Sequence, residues 1–267
     1  QSREVGKDVQ PGCPQRGMRA IMVDFYPRVE VLFAIGWIMS QDVGGNGMRS
    51  VVSVNQWTSG EFYRLFDRAQ SLQYSAAPNL GGMAALVFAE PSTRTMVSFQ
   101  MAAVRLGMNV CTLDNNNSSL TKGETLEDTL ATLESIGVCT AIVRAKGDWP
   151  QTLQRTFPSM AIINAGSGVW EHPTQALLDS FTMHQEFGSL EGLNVVIAGD
   201  AAHSRVARSN AAVLHRLGAN VLFSGPPRWA LTDTAPWIQW VPWDHALENA
   251  DVVMMLRAQV ERHEDAN

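Results

Sequence analysis

The sequence predicts an α/β fold of two doubly wound parallel-sheet domains with a cleft between them. Three observations predict it. Short apolar runs of strand length alternate with segments whose apolar residues recur at helical spacing, the signature of strand–helix units feeding a parallel sheet. The alternation restarts at Gly192, after a helical stretch over residues 173–187 that is long enough to join two such units. Polar, chemistry-bearing residues fall just past the strand ends, after Phe88, Val143, Asn164, Ala198 and Leu256, which is where open α/β sheets place ligands.

Each element has its own signal. Residues 29–39 are apolar but short for a bilayer span and carry Glu30, so no membrane span is expected. Arg19 and Arg28 precede that run as in a secretory signal, yet no A-x-A-like cleavage site follows. Gly44-Gly45-x-Gly47 reads as a flexible joint. Thr58 or Ser59 caps a helix through Leu72, with Phe62, Leu65, Phe66, Ala69 and Leu72 on one face. Residues 84–88 form a buried strand that Pro91 breaks, and residues 96–106 form a helix closed by Gly107. Residues 108–113 are a second strand, and the polar 114–121 segment is an exposed loop. Residues 122–128 open a helix with acidic residues in its first turn, as the helix dipole prefers. Residues 138–143 are a strand ending at Arg144, 149–157 a helix and 161–164 a strand; Gly166-Ser167-Gly168 is a loop leading to His172. The second unit comprises a strand at 194–198, a helix at 204–217, strands at 221–223 and 238–241, a short helix at 244–248 and a last strand at 251–256.

Bulk properties narrow the function. With 267 residues, 45% of them hydrophobic and 17% charged, the chain has room for two packed domains and is not of disordered composition. A formal net charge of −6 leaves no basic surplus for general nucleic-acid binding. Any anion must therefore be met by a few placed arginines. Cys13, Cys111 and Cys139 are odd in number and lack CxxC spacing, which suggests neither a disulfide framework nor a zinc site and makes a reducing cytoplasm the default. The Gly166-Ser167-Gly168 triplet has no third glycine for a dinucleotide fingerprint, and no P-loop occurs. No cofactor or metal is expected.

One segment stands out. Ser92-Thr93-Arg94-Thr95 lies where a strand hands over to a helix N-terminus, a place that collects unpaired backbone N–H groups and the positive end of the helix dipole. Hydroxyls and a planar guanidinium are added there, a set that suits phosphate. In isolation, the same four residues fit an ordinary cap beside a solvated arginine equally well.

The wider pattern breaks that tie. Pro91-Ser92-Thr93-Arg94-Thr95, Lys122-Gly123-Glu124-Thr125, His172-Pro173-Thr174-Gln175 and Leu256-Arg257-x-Gln259 occur in that order, and from about Arg49 to Arg262 the chain resembles the aspartate/ornithine carbamoyltransferase family. The resemblance implies transfer of a carbamoyl group from carbamoyl phosphate to L-aspartate, giving N-carbamoyl-L-aspartate and phosphate early in pyrimidine synthesis. It implies an N-terminal extension at 1–48, a carbamoyl phosphate-binding domain at 49–187 and an aspartate-binding domain at 188–267. Ser92, Thr93, Arg94 and Thr95 match the phosphate loop, with Arg94 neutralising the leaving group. Arg144 matches a guanidinium reaching both phosphate and carbamoyl oxygen, His172 the donor to that oxygen, and Gln175 the partner of the carbamoyl amide. Arg205 and Arg257 match the arginines for the two carboxylates of aspartate, with Gln259 beside them. Taken alone, His172 reads as a structural histidine, and Arg205, in a run with Arg208, as part of a solvated helix face. Ser119 and Lys122 match a loop that enters the neighbouring subunit's site, which implies a homotrimer with shared sites. The resemblance also leaves room for a regulatory or a dihydroorotase partner subunit.

Several positions depart from the family pattern. Ala89 replaces a usual Phe, Met96 an Arg that usually follows the phosphate loop, and Gln100 a usual Glu. Residues 1–48 lie outside the match, and Met48 reads as the natural start. Family members continue past the Leu-Arg-x-Gln motif through a His-Pro-x-Pro loop and a final helix, so the second domain is expected to be C-terminally incomplete. The competing readings are an ornithine carbamoyltransferase, which would want an acidic partner for the ornithine ammonium, and a non-catalytic carbamoyltransferase-like scaffold subunit.

Overall fold

A computed structural model of the chain describes residues 50–114, 123–231 and 235–258. Two parallel four-stranded sheets organise it. The first contains β1 (Met83–Phe88), β2 (Asn109–Asp114), β3 (Thr140–Ala145) and β4 (Ala161–Ser167) in the order β2-β1-β3-β4. The second contains β5 (Asn194–Ala198), β6 (Asn220–Ser224), β7 (Gln239–Trp240) and β8 (Val252–Met255) in the order β7-β6-β5-β8. All strand pairs are parallel.

Period-two alternation explains how each sheet takes helices on both faces. In the first sheet, Ala84, Leu86, Phe88, Ile142, Ile163 and Ala165 face one core, while Ala85, Val87, Ala141, Val143 and Ile162 face another. The first core is filled by helices α1 (Ser59–Leu72), α2 (Thr93–Arg105) and α5 (Pro173–Phe187). The second is filled by α3 (Leu126–Ser135) and α4 (Pro150–Thr156). In the second sheet, Val195, Ile197, Val221, Phe223, Val252 and Met254 face α6 (Arg205–Arg216) and join the same cluster as α1, α2 and α5. Among the described residues the opposite face carries a small cluster of Val196, Ala198, Ala246 and Ala250, beside the one-turn helix α7 (Trp243–Leu247). One continuous core thus runs from sheet to sheet through the α5–α6 packing.

The predicted elements are present, with two informative shifts. The helix predicted from residue 96 begins at Thr93, so the Ser-Thr-Arg-Thr segment forms its first turn. The strand predicted to stop at Asn164 runs on to Ser167, so Gly166 and Ser167 are strand residues and not a loop. The reason is a β-bulge: Val143 pairs with Asn164 but Ala145 with Ser167, so β4 carries one extra residue. Asn164 Oδ1 accepts from Gly166 N at 2.8 Å inside that irregularity, and its Nδ2 donates to Val52 O at 3.0 Å. Of the predicted polar loop, residues 115–121 lie outside the described residues, as do residues 1–49.

Candidate active site

The two sheets present their topological switch points, between β1 and β3 and between β5 and β8, to the crevice where ligands of open α/β sheets bind. At the first switch point, Phe88 is in register with Arg144, and Arg144 O accepts from Ala89 N at 2.8 Å and Glu90 N at 3.3 Å. The turn that precedes α2 is therefore tied to the strand that carries Arg144.

The α2 terminus itself is open. Ser92 occupies the cap position yet makes no side-chain bond to a helix amide; its Oγ donates to Thr95 Oγ1 at 2.9 Å. Thr58, Thr125 and Ser204, by contrast, each accept from an amide of the helix they precede. The first-turn N–H groups of Thr93, Arg94 and Thr95 have no partner within the helix, the turn contains no acid, and Arg94 is exposed. This terminus is arranged to receive an anion.

At the mouth of β4 two guanidiniums converge on Gly166. Its φ is +127°, a backbone conformation that favours glycine, and a Cβ there would lie 2.9 Å from Arg144 Nη1 and 3.0 Å from Arg205 Cζ, so both guanidiniums would have to shift to admit one. Arg144 Nη1 donates to Ala165 O at 3.1 Å. Arg205 Nη1 donates to Glu90 Oε2 at 2.7 Å and to Gly168 O at 2.8 Å. Arg205 is the first residue of α6, in the second unit, and is 3% exposed. That overturns the reading of its helix face as solvated: the contacts that bury it come from the first unit, and no local spacing could announce them.

His172 stands at the cap position of α5, 6% exposed, with its backbone N donating to Ser209 Oγ on α6 at 2.9 Å. Its Nδ1 lies 3.3 Å from Thr174 Oγ1. Burial, then the positive charges of Arg205 and Arg144, push its pKa well below the usual histidine value, so the ring is neutral at physiological pH. One turn on, Gln175 Nε2 donates to Asp179 Oδ1 at 2.9 Å.

At the second switch point, Leu256 N donates to Ala198 O at 2.7 Å and Leu256 packs onto Gly199, whose absent Cβ would meet Leu256 O at 2.8 Å. That contact sets where the chain leaves β8, and the exposed Arg257 follows at once. Ser119, Lys122 and Gln259 lie outside the described residues. Of the departures, Met96 packs against the main core and Gln100 is exposed, so the substitution at 96 trades a charge beside the turn for burial. Among the described residues, no group of three or more His, Cys, Asp and Glu side chains is placed to hold a metal ion.

Sequence reasoning missed four participants. Glu90, Gly166, Asp179 and Asn210 act through partners distant in the chain; only the i,i+4 spacing of Gln175 and Asp179 was a local signal. Asp200 and His203, joined at 2.7 Å between β5 and α6, carried an i,i+3 signal of the same kind.

Known proteins fit this architecture. The family profile described as aspartate/ornithine carbamoyltransferase, carbamoyl-P binding domain, matches residues 49–185. The chain belongs to the aspartate/ornithine carbamoyltransferase family. Within that family it is 46% identical over 219 residues to the aspartate carbamoyltransferase catalytic subunit of Oceanobacillus iheyensis, covering 81% of this chain and 70% of that one. The corresponding subunit of Listeria monocytogenes is 42% identical over 219 residues, 81% of this chain and 72% of its own. Among solved structures, aspartate transcarbamoylase of Trypanosoma cruzi in complex with carbamoyl phosphate and aspartate superposes with a TM-score of 0.72 at 29% identity, covering 80% of this chain and 73% of that one. The catalytic subunit of M. jannaschii aspartate transcarbamoylase gives a TM-score of 0.70 at 30% identity, covering 82% and 77%.

Proposed function

We propose that the chain transfers the carbamoyl group of carbamoyl phosphate to L-aspartate, forming N-carbamoyl-L-aspartate and phosphate, an early step of pyrimidine synthesis. The observation that carries this reading is the meeting of Arg144 and Arg205 at Gly166, with neutral His172 near enough to feel both charges, beside an open helix terminus. Cationic groups from two units then face one crevice, as a reaction between two anions requires.

In this reading residues 49–187 bind the donor and residues 188–267 the acceptor. Ser92, Thr93, Arg94 and Thr95 hold the phosphate through hydroxyls, helix amides and one guanidinium. Arg144 spans phosphate and carbamoyl oxygen. With Thr174 Oγ1 donating to Nδ1 of His172, the proton of the neutral ring sits on Nε2, which donates to the carbamoyl oxygen as negative charge grows there. The aspartate amine forms the new C–N bond while the C–O bond to phosphate breaks, and the departing phosphate takes up the proton that the amine loses. Arg205, Arg257 and Gln259 take the acceptor's carboxylates.

The assembly follows the same logic. Val97, Met101 and Val104 make an exposed apolar stripe at i, i+4 and i+7 on α2. Another copy packed there would cover it, consistent with a homotrimer in which Ser119 and Lys122 enter a neighbour's site. Cys111 and Cys139 are free thiols, as suits a reducing cytoplasm.

The test is to incubate the purified chain with carbamoyl phosphate plus aspartate or ornithine and to assay ureido product. Product is expected with aspartate. Product from ornithine alone would reverse the acceptor assignment, and none from either would favour a scaffold.

A further inference from the structure

One buried charge has no part in the reaction just described. Asp179, on α5, is 2% exposed, and two side chains from different helices hold its carboxylate. Gln175 Nε2 donates to Oδ1 at 2.9 Å, and Asn210 Nδ2, on α6, donates to Oδ2 at 2.7 Å. Asn210 Nδ2 also donates to Val206 O at 3.0 Å, which fixes the orientation of its amide. A buried carboxylate is costly and persists when donors satisfy it. An ionised carboxylate only accepts, so Gln175 must turn its NH2 to Asp179. Its amide carbonyl is left for the other side.

We propose that Asp179 is a positioning residue for the donor substrate: it locks the half-buried Gln175 amide with its carbonyl oxygen toward the crevice, which makes that point of the site select an N–H group. The assignment rests on the carbamoyl phosphate reading above. The carbamoyl NH2 is the only N–H donor on that substrate. Acetyl phosphate, which carries the same phosphate and carbonyl, presents a methyl group there instead.

The substitution Asp179→Asn tests it. Asn at 179 keeps both Asn210 bonds only by giving its oxygen to Asn210 and its NH2 to Gln175. Gln175 then flips, accepts from that NH2 and points its own donors into the crevice. The KM for carbamoyl phosphate is expected to rise about tenfold, the loss of roughly one hydrogen bond. The inhibition constant of acetyl phosphate stays within about twofold, because no N–H of that ligand is read. In a Gln175→Ala background, Asp179→Asn adds nothing further. Equal weakening of both ligands, or additive effects in the double variant, would assign Asp179 a general structural role and overturn the proposal. Should Asp179→Asn not fold, hydrogen exchange of the Gln175 side-chain NH2 in the wild-type chain decides, its resonances being assigned by their loss in Gln175→Ala. Slowed exchange is expected, and exchange at the rate of a free amide overturns the assignment. A wild-type chain that turns over no carbamoyl phosphate would sink the parent reading and this assignment with it, whereas turnover with either adverse result sinks this assignment alone.

Discussion

Gly166 is the position where one added atom would reach furthest. Two guanidiniums from different units pack where its side chain would be, and its backbone lies in the left-handed half of conformational space. Gly166→Ala must strain the chain and push Arg144 and Arg205 apart. Steady-state kinetics should show kcat/KM reduced about 100-fold or more, since a misplaced charge donor costs roughly 3 kcal/mol of transition-state stabilisation. Urea unfolding should show about 1–3 kcal/mol of destabilisation from the backbone alone. Asp179 makes a separate prediction about pH. Burial, opposed by its bonds from Asn210 and Gln175, raises its pKa to about 6 from an ordinary 3.8. The folded state therefore holds that proton more tightly than the unfolded chain does. Stability from this group is complete below about pH 4 and is lost as pH rises through about 6, a swing of about 3 kcal/mol. Asp179→Asn removes the swing, so the variant should gain stability relative to the wild type between about pH 4.5 and about pH 7. A constant difference across that range would mean that the carboxylate is not desolvated in the folded chain.

At the scale of elements, the same kind of residue at the same helix position has two different jobs. Thr58 caps α1 through a reciprocal box, its Oγ1 accepting from Glu61 N while Glu61 Oε2 accepts from Thr58 N. Ser92 caps nothing on α2. Thr58→Ala should cost about 1 kcal/mol of stability and leave turnover unchanged. Ser92→Ala should change stability by only a few tenths of a kcal/mol and still lower the affinity for carbamoyl phosphate about tenfold, as loss of one charged hydrogen bond would. Thermal melts and KM values measured side by side separate the two. This contrast also marks what could be read from the chain. Strands were legible because their apolar runs alternate between two cores, α1 because Thr58 caps it, and α3 because acidic residues fill its first turn. The place of Arg144 near the end of β3 was legible from the apolar run before it, and that of His172 from the helix that Pro173 opens. The extension of β4 through Gly166 was not, because its cause is a bulge against β3, twenty residues away in sequence or more. The burial of Arg205 was hidden for the same reason: its partners Glu90 and Gly168 belong to the first unit, just past the ends of β1 and β4.

At the scale of the whole molecule, α6 works as a strut between the two units. Its first residue, Arg205, reaches Glu90 and Gly168, while its last, Arg216, reaches back to the turn that begins the first unit. There Arg216 Nη1 donates to Asn55 O at 3.0 Å and to Trp57 O, and Nη2 donates to Asn55 Oδ1 at 3.4 Å. The two anchors are about 16 Å apart along the helix. The inner anchor is buried and the outer one exposed, so the outer is the weaker, worth about 1 kcal/mol. Arg216→Met keeps the aliphatic stem and removes only the polar anchor. The melting temperature should fall by about 2–4 °C. The kinetic consequence should be lopsided. Arg94, Arg144, His172 and Gln175 stand on the first unit, and Ser209 and Asn210, which hold His172 and Asp179, sit in the buried middle of α6, so the KM for carbamoyl phosphate should change little. Arg205 rides on α6 itself, so freeing the far end of the helix loosens the placement of the acceptor's carboxylates. The KM for aspartate should rise by roughly three- to tenfold, the equivalent of the anchor's own contribution. Equal changes in both constants would mean that the two units respond as one rigid body, and the strut would then have no separate role in holding the acceptor.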